Sequence, residues 1–328
     1  MVDIIIVTHN AEEKLRACVT SLRKNTENSN YILTIVNNGS SDGTAKYLKT
    51  LKGNVQVITT KANKGFCYGA NLGIESTNND IVTLLDDDVE VTKDWLPTLL
   101  KKLRKKAVGI VTPKIIFPNG TIFSAGFFLK KLLSLGYGEI DFGQYNRVRE
   151  FDAFPGPCWL IKRKVLQEIG KFDEKYFPCQ YEDLDYCLRV RQAGYKIIYN
   201  GKVSVIHHNL FRSAKKQSKN LQYFLDKWKS LLNKLPFTDS APENILMEKA
   251  FSILDRHQTN TDALKYLLKA KNIHKVFISP YYLGYAYKQA NKPKKAIFEF
   301  NKCLESYDPE YFPFSKITNE INLLNKRI

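Results

Sequence analysis

The feature that most limits the fold is a regular alternation, over the first 116 residues, of short apolar runs with segments of helical period. The apolar runs predict strands at residues 2–8, 31–36, 55–59, 81–85 and 108–116. Two of the intervening segments, residues 12–24 and 94–105, are predicted helices. Strands that alternate with helices build a mostly parallel sheet. Ligands of such sheets lie outside the carboxyl ends of the strands, so the residues that follow each run form the candidate site.

Three consecutive carboxylates, Asp86, Asp87 and Asp88, follow the fourth apolar run. Like charges this close repel each other, and a hard divalent cation with oxygen ligands relieves the repulsion while leaving positions for diphosphate oxygens. The alternative is a turn of acidic residues before a helix that Thr92 or Asp94 caps.

Two polar loops follow the second and third runs. The first has the sequence Val-Asn-Asn-Gly-Ser-Ser-Asp-Gly at residues 36–43, and the second spans residues 63–73 with three glycines. A single glycine-rich loop is usually only a turn. Polar loops at three successive strand ends instead indicate a nucleotide site.

These motifs resemble glycosyltransferase family 2, whose members have the GT-A fold. The resemblance rests on residues 4–10, the Asn-Gly-Ser-Ser-Asp-Gly turn, the loop at 63–73, the Asp-x-Asp of the triplet, and residues 120–126, 170–177, 181–185 and 205–207. It is strongest to rhamnosyltransferase-like, non-processive members, because the Gln-x-x-Arg-Trp motif of processive synthases is absent from the sequence.

The resemblance implies a role for each matching residue. Asp183 corresponds to the general base of a reaction that inverts the anomeric carbon. The residues implied in binding the nucleotide sugar are Thr8, Asn10, Asn37, Asp42, Asn63, Gly65, Asn71, Asp86, Asp87 and Glu182. The residues implied in holding Mn²⁺ or Mg²⁺ are Asp86, Asp88 and His207.

The chemistry supports these roles, and structural alternatives stay open. An attacking hydroxyl must lose its proton, and a leaving diphosphate must have its charge neutralised. Glu182, Asp183 and Asp185 are equally suited to the first turn of a helix, where Asp185 has ion-pair spacing to Arg189. On a helix, Asp183 and Asp185 face different directions. A histidine at a strand end, such as His207, is usually structural but can also be a ligand.

The sequence says less about which nucleotide base the sugar donor carries. Asn37 stands where the family usually has Asp, which accepts a hydrogen bond from uracil or thymine. An amide both accepts and donates, so UDP- or dTDP-sugars are favoured while cytosine stays open.

Charge and cysteine usage narrow the partners and the compartment. The formal net charge of +17 favours an anionic partner: a nucleotide, a nucleic acid or an acidic lipid surface. The motifs favour the nucleotide and argue against nucleic acid. The six cysteines form no Cys-x-x-Cys pair, and no signal peptide or long apolar span is present. We therefore expect a cytoplasmic protein. A peripheral position at the inner face of the plasma membrane stays open, because residues 210–235 are basic and amphipathic.

The sequence predicts helices in the last third of the chain. Residues 210–235 form an amphipathic, basic helix that either lies on an anionic membrane or packs on the catalytic domain. A linker at 236–242 follows. At an offset of 33, Ala263 pairs with Ala296 and Leu267 with Phe300, and the second copy resembles a tetratricopeptide repeat; an ordinary helical hairpin is the alternative. Two repeats need a partner surface, so we expect this segment to contact the catalytic domain or form a homodimer.

The sequence thus predicts an α/β protein with a GT-A domain (Rossmann-like, mostly parallel sheet) at 1–209, an amphipathic helix and linker at 210–242, and a small all-α tetratricopeptide-like domain at 243–328. The predicted activity is metal-dependent, inverting transfer of a hexosyl or deoxyhexosyl group from a nucleotide sugar to a glycan, lipid-linked or protein acceptor, as in polysaccharide biosynthesis. One alternative, a sugar-phosphate nucleotidylyltransferase, is weakened because no glycine-rich, arginine-containing loop follows the first run. The other is an inactive binding or scaffold protein.

Overall fold

The computed structural model describes residues 1–27, 29–129, 132–141, 143, 145–208, 217–234, 246, 249–250, 254, 261–272, 279–306, 314–326 and 328. The named strands are β1 (Val2–Thr8), β2 (Tyr31–Asn38), β3 (Val55–Thr60), β4 (Ile81–Asp86), β5 (Val89–Val91), β6 (Val108–Ile116), β7 (Ile122–Ser124), β8 (Phe127–Phe128), β9 (Leu133–Ser134), β10 (Val148–Phe151), β11 (Cys158–Lys162) and β12 (Lys196–His207). The named helices are α1 (Glu12–Thr26), α2 (Thr44–Leu48), α3 (Phe66–Glu75), α4 (Trp95–Leu103), α5 (Arg163–Ile169), α6 (Glu182–Gln192), α7 (Gln217–Lys234), α8 (Asp262–Asn272), α9 (Pro280–Gln289), α10 (Pro293–Ser306) and α11 (Phe314–Asn325).

One large mixed sheet organises the first two thirds of the chain. Its main path runs β10-β12-β6-β11-β4-β1-β2-β3, with β5 added to β12 and β7 added to β6. The strands from β4 to β3 are parallel, and β1 lies between β4 and β2 with Val7 opposite Asp86 and Thr8 opposite Asn37. Ile4, Ile5 and Ile6 of β1 are almost fully buried. A strand with such a continuous apolar run needs helices on both faces of the sheet.

The predicted α/β class with a mostly parallel sheet is therefore confirmed. The strands at 2–8 and 108–116 have the predicted limits, and the other three predicted strands extend by one or two residues. The two predicted helices correspond to α1 and α4. All six cysteines are free thiols.

The pairing of β11 departs from simple strand–helix alternation. This strand is antiparallel to both of its neighbours, β4 and β6. Its first residue, Cys158, pairs with Leu85, so the loop 155–157 arrives at the carboxyl end of β4. There the N–H of Asp86 donates to the carbonyl oxygen of Pro157 at 3.0 Å.

Helix α7 packs on the catalytic domain in the part that the structure describes. Phe224 and Trp228, two members of the predicted apolar stripe, are buried, and the Phe224 ring stacks on Tyr181 with 5.9 Å between centroids. Of the two alternatives for this helix, the structure therefore has the one in which it packs on the rest of the chain. This packing buries apolar side chains that a membrane contact would need. Residues 209–216 and 235–242, which include Lys215, Lys216 and the predicted linker, lie outside the described residues.

The C-terminal helices α9 and α10 form a hairpin in which the backbones approach closely at Gly284. A Cβ atom at this position would lie 2.4 Å from the Phe300 ring, so only glycine fits. Buried residues of α8 and α9 join the same hydrophobic cluster as the sheet core. The tetratricopeptide assignment and the domain limits stay predictions. The first-copy residues Ala263 and Leu267 are buried in α8, and residues 255–260 and 273–278 on either side of this helix lie outside the described part.

A search of the described helices for a membrane span found no helix with both the length and the apolar character that crossing a bilayer requires.

Candidate active site

A cavity of about 660 Å³ opens at the carboxyl ends of β1 and β4. This volume lies in the range of small-molecule sites. The predicted site residues that line it are Thr8, Asn63, Asp86, Asp87, Asp88, Glu182, Asp183 and His207. The predicted site residues outside its lining are Asn10, Asn37, Asp42, Gly65 and Asn71.

Asp86, Asp88 and His207 come together as a cluster on one side of the cavity. One oxygen of each carboxylate and one ring nitrogen of His207 lie within 4.8 Å of one another. His207 Nε2 is 3.1 Å from Asp88 Oδ1 and 3.9 Å from Asp86 Oδ2. Pairing of β5 with β12 produces this arrangement, because it sets His207 opposite Val89, the residue after Asp88. Two carboxylates and an imidazole are a donor set that suits a divalent metal.

The electrostatics of the two carboxylates differ. Removal from water, and then repulsion from Asp88, raise the pKa of Asp86 to about 7. Burial opposes ionisation of Asp88 as well, but its hydrogen bond with His207 and the charge of Lys14 outweigh burial and lower its pKa to about 2. Lys14 Nζ lies 3.4 Å from Asp88 Oδ2. A positively charged group at this point relieves the repulsion within the triplet.

Asp183 faces the cavity from the first turn of α6. The backbone N–H of Gly156 donates to its Oδ2 at 3.1 Å, and the N–H of Leu184 donates to its Oδ1 at 2.8 Å. Burial raises the pKa of Asp183 to about 6 against the effect of these hydrogen bonds. A carboxylate with a pKa near neutrality suits proton transfer at physiological pH.

The other two acids of this turn have different surroundings. Burial and the charge of Asp183 raise the pKa of Glu182 well above its usual range, and its Oε2 has no hydrogen-bond partner among the described residues. Asp185 points away from the cavity and pairs with Arg189 at 3.0 Å, which confirms the predicted ion pair. Only Glu182 and Asp183 of the three line the cavity.

The first polar loop is held by its own side chains. Asn37 Oδ1 accepts from the N–H of Ser40, and Asn10 Oδ1 accepts from the N–H of Ser41 at 2.7 Å. Asp42 accepts from the N–H groups of Glu12 and Thr44, so it caps the starts of α1 and α2. Asn10, Asn37 and Asp42 therefore stabilise the backbone of the first polar loop.

The second polar loop is tied to the first by Asn38, a residue that the sequence reasoning did not select. Asn38 Nδ2 donates to the carbonyl oxygen of Gly65 at 2.9 Å and to Asn63 Oδ1 at 3.2 Å. Gly65 has a φ of +88°, a conformation that favours glycine. Asn71 lies deeper, where its amide exchanges hydrogen bonds with the backbone of Phe172. The sequence feature that could have identified Asn38 is its position directly after Asn37 in the same polar segment.

An aromatic wall, also unpredicted, closes the side of the cavity next to His207. We define it as Phe117, Phe123 and Tyr137, whose rings meet edge to face with centroids 5.4–6.1 Å apart. The Phe123 ring also meets the His207 ring edge to face at 5.2 Å. Edge-to-face aromatic pairs are favourable contacts, so the wall holds the imidazole in place. Trp159 lines the cavity as well, with its indole N–H donating to the carbonyl oxygen of Pro155.

A strand-end site on a Rossmann-like sheet, with an Asp–Asp–His cluster and the separate, half-buried carboxylate of Asp183, defines the class of the protein. The model of the family described as "Glycosyl transferase family 2" matches residues 3–170, just over half of the chain. The chain belongs to this family, and it has the predicted GT-A fold.

Two relatives illustrate the similarity. Protein y4gI of Sinorhizobium fredii is 30% identical over 221 residues, which cover 63% of this chain and 24% of that protein. The N-acetylglucosaminyl-diphospho-decaprenol L-rhamnosyltransferase of Mycobacterium tuberculosis is 25% identical over 245 residues, 66% of this chain and 79% of the relative. The chain thus spans about a quarter of the length of y4gI.

Solved structures agree on the fold. The crystal structure of GalNAc-T7 with UDP, GalNAc and Mn²⁺ matches with a TM-score of 0.59 at 16% identity, covering 84% of this chain and 55% of that one. At this identity the likeness supports the GT-A architecture.

Proposed function

We propose that the protein is a metal-dependent, inverting glycosyltransferase that moves a hexosyl or deoxyhexosyl group from a nucleotide sugar to an acceptor hydroxyl. The observation that carries the proposal is the convergence of two chemically distinct groups on one cavity. The Asp86–Asp88–His207 cluster suits a diphosphate-bound cation, and Asp183 suits a proton acceptor. Family membership favours this function over a nucleotidylyltransferase or an inactive scaffold.

The cluster fits Mn²⁺ or Mg²⁺. Asp86 and Asp88 are close enough for their repulsion to raise the pKa of Asp86, and a bound cation would relieve that repulsion. Carboxylate oxygens suit both ions, and the imidazole of His207 makes Mn²⁺ the better match. When bound, the metal supplies charge neutralisation for the leaving diphosphate.

Asp183 acts on the acceptor in this proposal. Its ionised carboxylate takes the proton of the acceptor hydroxyl while the hydroxyl oxygen forms a bond to the anomeric carbon. The bond from that carbon to the diphosphate oxygen breaks, and its electron pair leaves with the nucleoside diphosphate. Attack from the face opposite the leaving group inverts the configuration. The N–H groups of Gly156 and Leu184 keep the carboxylate oriented.

Thr8, Asn63, Asp87 and Glu182 are the proposed contacts to the nucleotide sugar in the cavity lining. Asn10, Asn37, Asp42, Gly65 and Asn71 are proposed to act by shaping the loops that surround the nucleotide. UDP- and dTDP-sugars remain the favoured donors on the family resemblance alone, because the Asn37 oxygen accepts from the N–H of Ser40 and the residue lies outside the cavity lining. The name of the mycobacterial relative favours a lipid-linked acceptor among glycan, lipid-linked and protein acceptors.

A donor screen tests the proposal directly. The full chain is incubated with UDP-, dTDP-, GDP- and CMP-sugars, with MnCl₂, with MgCl₂, or with EDTA, and released nucleotide is measured. We expect cleavage of a UDP- or dTDP-sugar that requires the cation and stops in EDTA. Equal cleavage in EDTA would exclude the metal-dependent mechanism.

The acidic limb of the pH–rate profile is a second test. Because only the ionised base accepts a proton, the raised pKa of Asp183, about 6, predicts that kcat falls about tenfold per pH unit below pH 6. An ordinary aspartate would stay ionised to about pH 4. The profile is measured with saturating donor and Mn²⁺, so that carboxylate protonation does not limit metal binding. A kcat that is constant from pH 8 down to pH 5 contradicts the assignment.

The domain limits at 209 and 242, a membrane contact through residues 210–235 and a homodimer through residues 243–328 stay predictions. The burial of Phe224 and Trp228 weighs against the membrane contact. Light scattering on the full chain, and on a chain ending at residue 240, tests the dimer.

A further inference from the structure

The turn that leads into the base-bearing helix has an unfavourable backbone. Gln180 and Tyr181, directly before Glu182 and Asp183, have φ values of +88° and +71°. Non-glycine residues in the left-handed region cost free energy and persist only where surrounding contacts hold them. The neighbours of this turn therefore determine where α6 begins and where Asp183 points.

Helix α7 supplies contacts to that turn. The side-chain amide of Asn220 is buried and donates to the carbonyl oxygen of Cys179 at 2.9 Å and to that of Gln180 at 3.4 Å. One turn further along α7, the Phe224 ring stacks on the Tyr181 ring. The residues before the base are thus fixed by a helix that follows them by about 40 residues in the sequence.

A second contact holds α6 itself. Asp185, fully buried and two residues after Asp183, accepts a hydrogen bond from the indole N–H of Trp228 at 2.8 Å. Lys227 Nζ lies 2.8 Å from the same oxygen. Within the catalytic domain, the other donors to Asp185 are Tyr176 and Arg189. Because Asp185 belongs to the first turn of α6, these bonds fix the rotation of the helix that carries Asp183.

We propose that Asn220 and Trp228 are positioning residues for the base, so that the catalytic unit extends through α7 instead of ending at residue 209. The inference rests on the proposed role of Asp183. Asn220 donates hydrogen bonds to the turn that precedes Asp183, and Trp228 donates a hydrogen bond to the carboxylate of Asp185, which follows it. Loss of either lets the first turn of α6 shift relative to Gly156, which donates to Asp183 from a different loop.

Directed contacts of this kind make a prediction that plain packing does not. Thr8, Asn63 and the Asp86–Asp88–His207 cluster, the proposed contacts to the nucleoside diphosphate, belong to other elements. Glu182 lies in the same turn as Asp183 and is proposed to contact the sugar part of the donor. Loss of the α7 contacts should therefore lower kcat and leave the affinity for UDP with Mn²⁺ unchanged. A shift of about 1 Å in a catalytic group can lower the rate by about 100-fold.

Two variants each remove one hydrogen-bond donor. Asn220→Asp removes the amide donor at constant size, and Trp228→Phe removes the indole N–H together with part of the buried ring system while keeping an aromatic ring. Gln222→Ala is the matched control, because Gln222 is exposed on the same helix and bonds only to Asp226 among the described residues. For each full-length variant, kcat and KM are measured with the nucleotide sugar selected by the donor screen. Calorimetry gives the affinity for UDP with Mn²⁺, and the thermal midpoint reports folding.

We expect kcat to fall at least about tenfold in both variants, with the UDP affinity within about twofold of the parent and of Gln222→Ala. If both variants keep a kcat within twofold of the parent, or lose UDP affinity in proportion to kcat, the inference is wrong. Asp183→Asn is assayed alongside to separate the two proposals. Normal transfer by Asp183→Asn overturns the proposed base, whereas loss of transfer there with normal Asn220 and Trp228 variants overturns only the role of α7.

Discussion

Replacing Asp183 with Asn should lower sugar transfer by about 100-fold or more while leaving nucleotide-sugar binding intact. Asn keeps the size of the side chain, but its single oxygen can accept from only one of the N–H groups of Gly156 and Leu184, which bond to different oxygens of Asp183. It cannot take the proton of the acceptor hydroxyl. When both are measured on the same protein, the single-turnover rate of transfer should therefore fall while the donor affinity stays unchanged.

Glu182→Gln is the matched comparison for this experiment, because Glu182 is the adjacent acid and lines the same cavity. We expect this change to affect donor affinity more than the rate of the bound complex. A transfer rate for Asp183→Asn equal to that of the unmodified enzyme would show that the acid belongs only to the start of the helix. A loss of donor affinity as the main effect would instead assign Asp183 to the donor site.

Replacing Asp88 with Ala should remove cation-dependent binding of the donor. The change deletes the carboxylate that is hydrogen-bonded to His207 and leaves Asp86 and the imidazole as the remaining members of the cluster. Changes in groups that merely orient metal ligands cost about 10- to 100-fold in metal affinity, so loss of a ligand should cost at least that much. Calorimetric titration of UDP with and without Mn²⁺ measures the effect.

Glu90→Gln is the control for Asp88→Ala. Glu90 lies two residues away and hydrogen-bonds to His208, the neighbour of His207. We expect its replacement to leave the Mn²⁺ dependence of UDP binding unchanged. Full cation-dependent binding by Asp88→Ala would mean that the carboxylate triplet is only a turn between β4 and β5.

The parts of the fold that depend on local periodicity were predictable. The run at 2–8 is apolar at nearly every position, which is the pattern of a strand buried on both faces, and β1 has those limits. The same logic located the site, because residues after parallel strands share one edge of the sheet. Asp86 to Asp88 were found in this way.

The parts that depend on distant contacts were not predictable. Asn37 and Asn38 are the last two residues of β2, where successive side chains point to opposite faces, and the sequence does not show that Asn38 is the one that lines the cavity. The aromatic wall comes from residues 117–137, where β7 and β8 are too short to show a period. The bond from Trp228 to Asp185 joins residues 43 positions apart. An amphipathic stripe identifies the buried face of a helix but not its partner.

The antiparallel position of β11 has a consequence for motion during turnover. This strand shares hydrogen-bond ladders with β4, which ends at Asp86, and with β6. The loop 155–157, which contacts Asp183, is therefore continuous with the same rigid sheet as Asp86. Closure by two hinged halves needs a boundary that few backbone bonds cross, and no such boundary separates these strands. Opening and closing of the active site must therefore occur in the loops above the sheet edge, with the sheet itself acting as a fixed base.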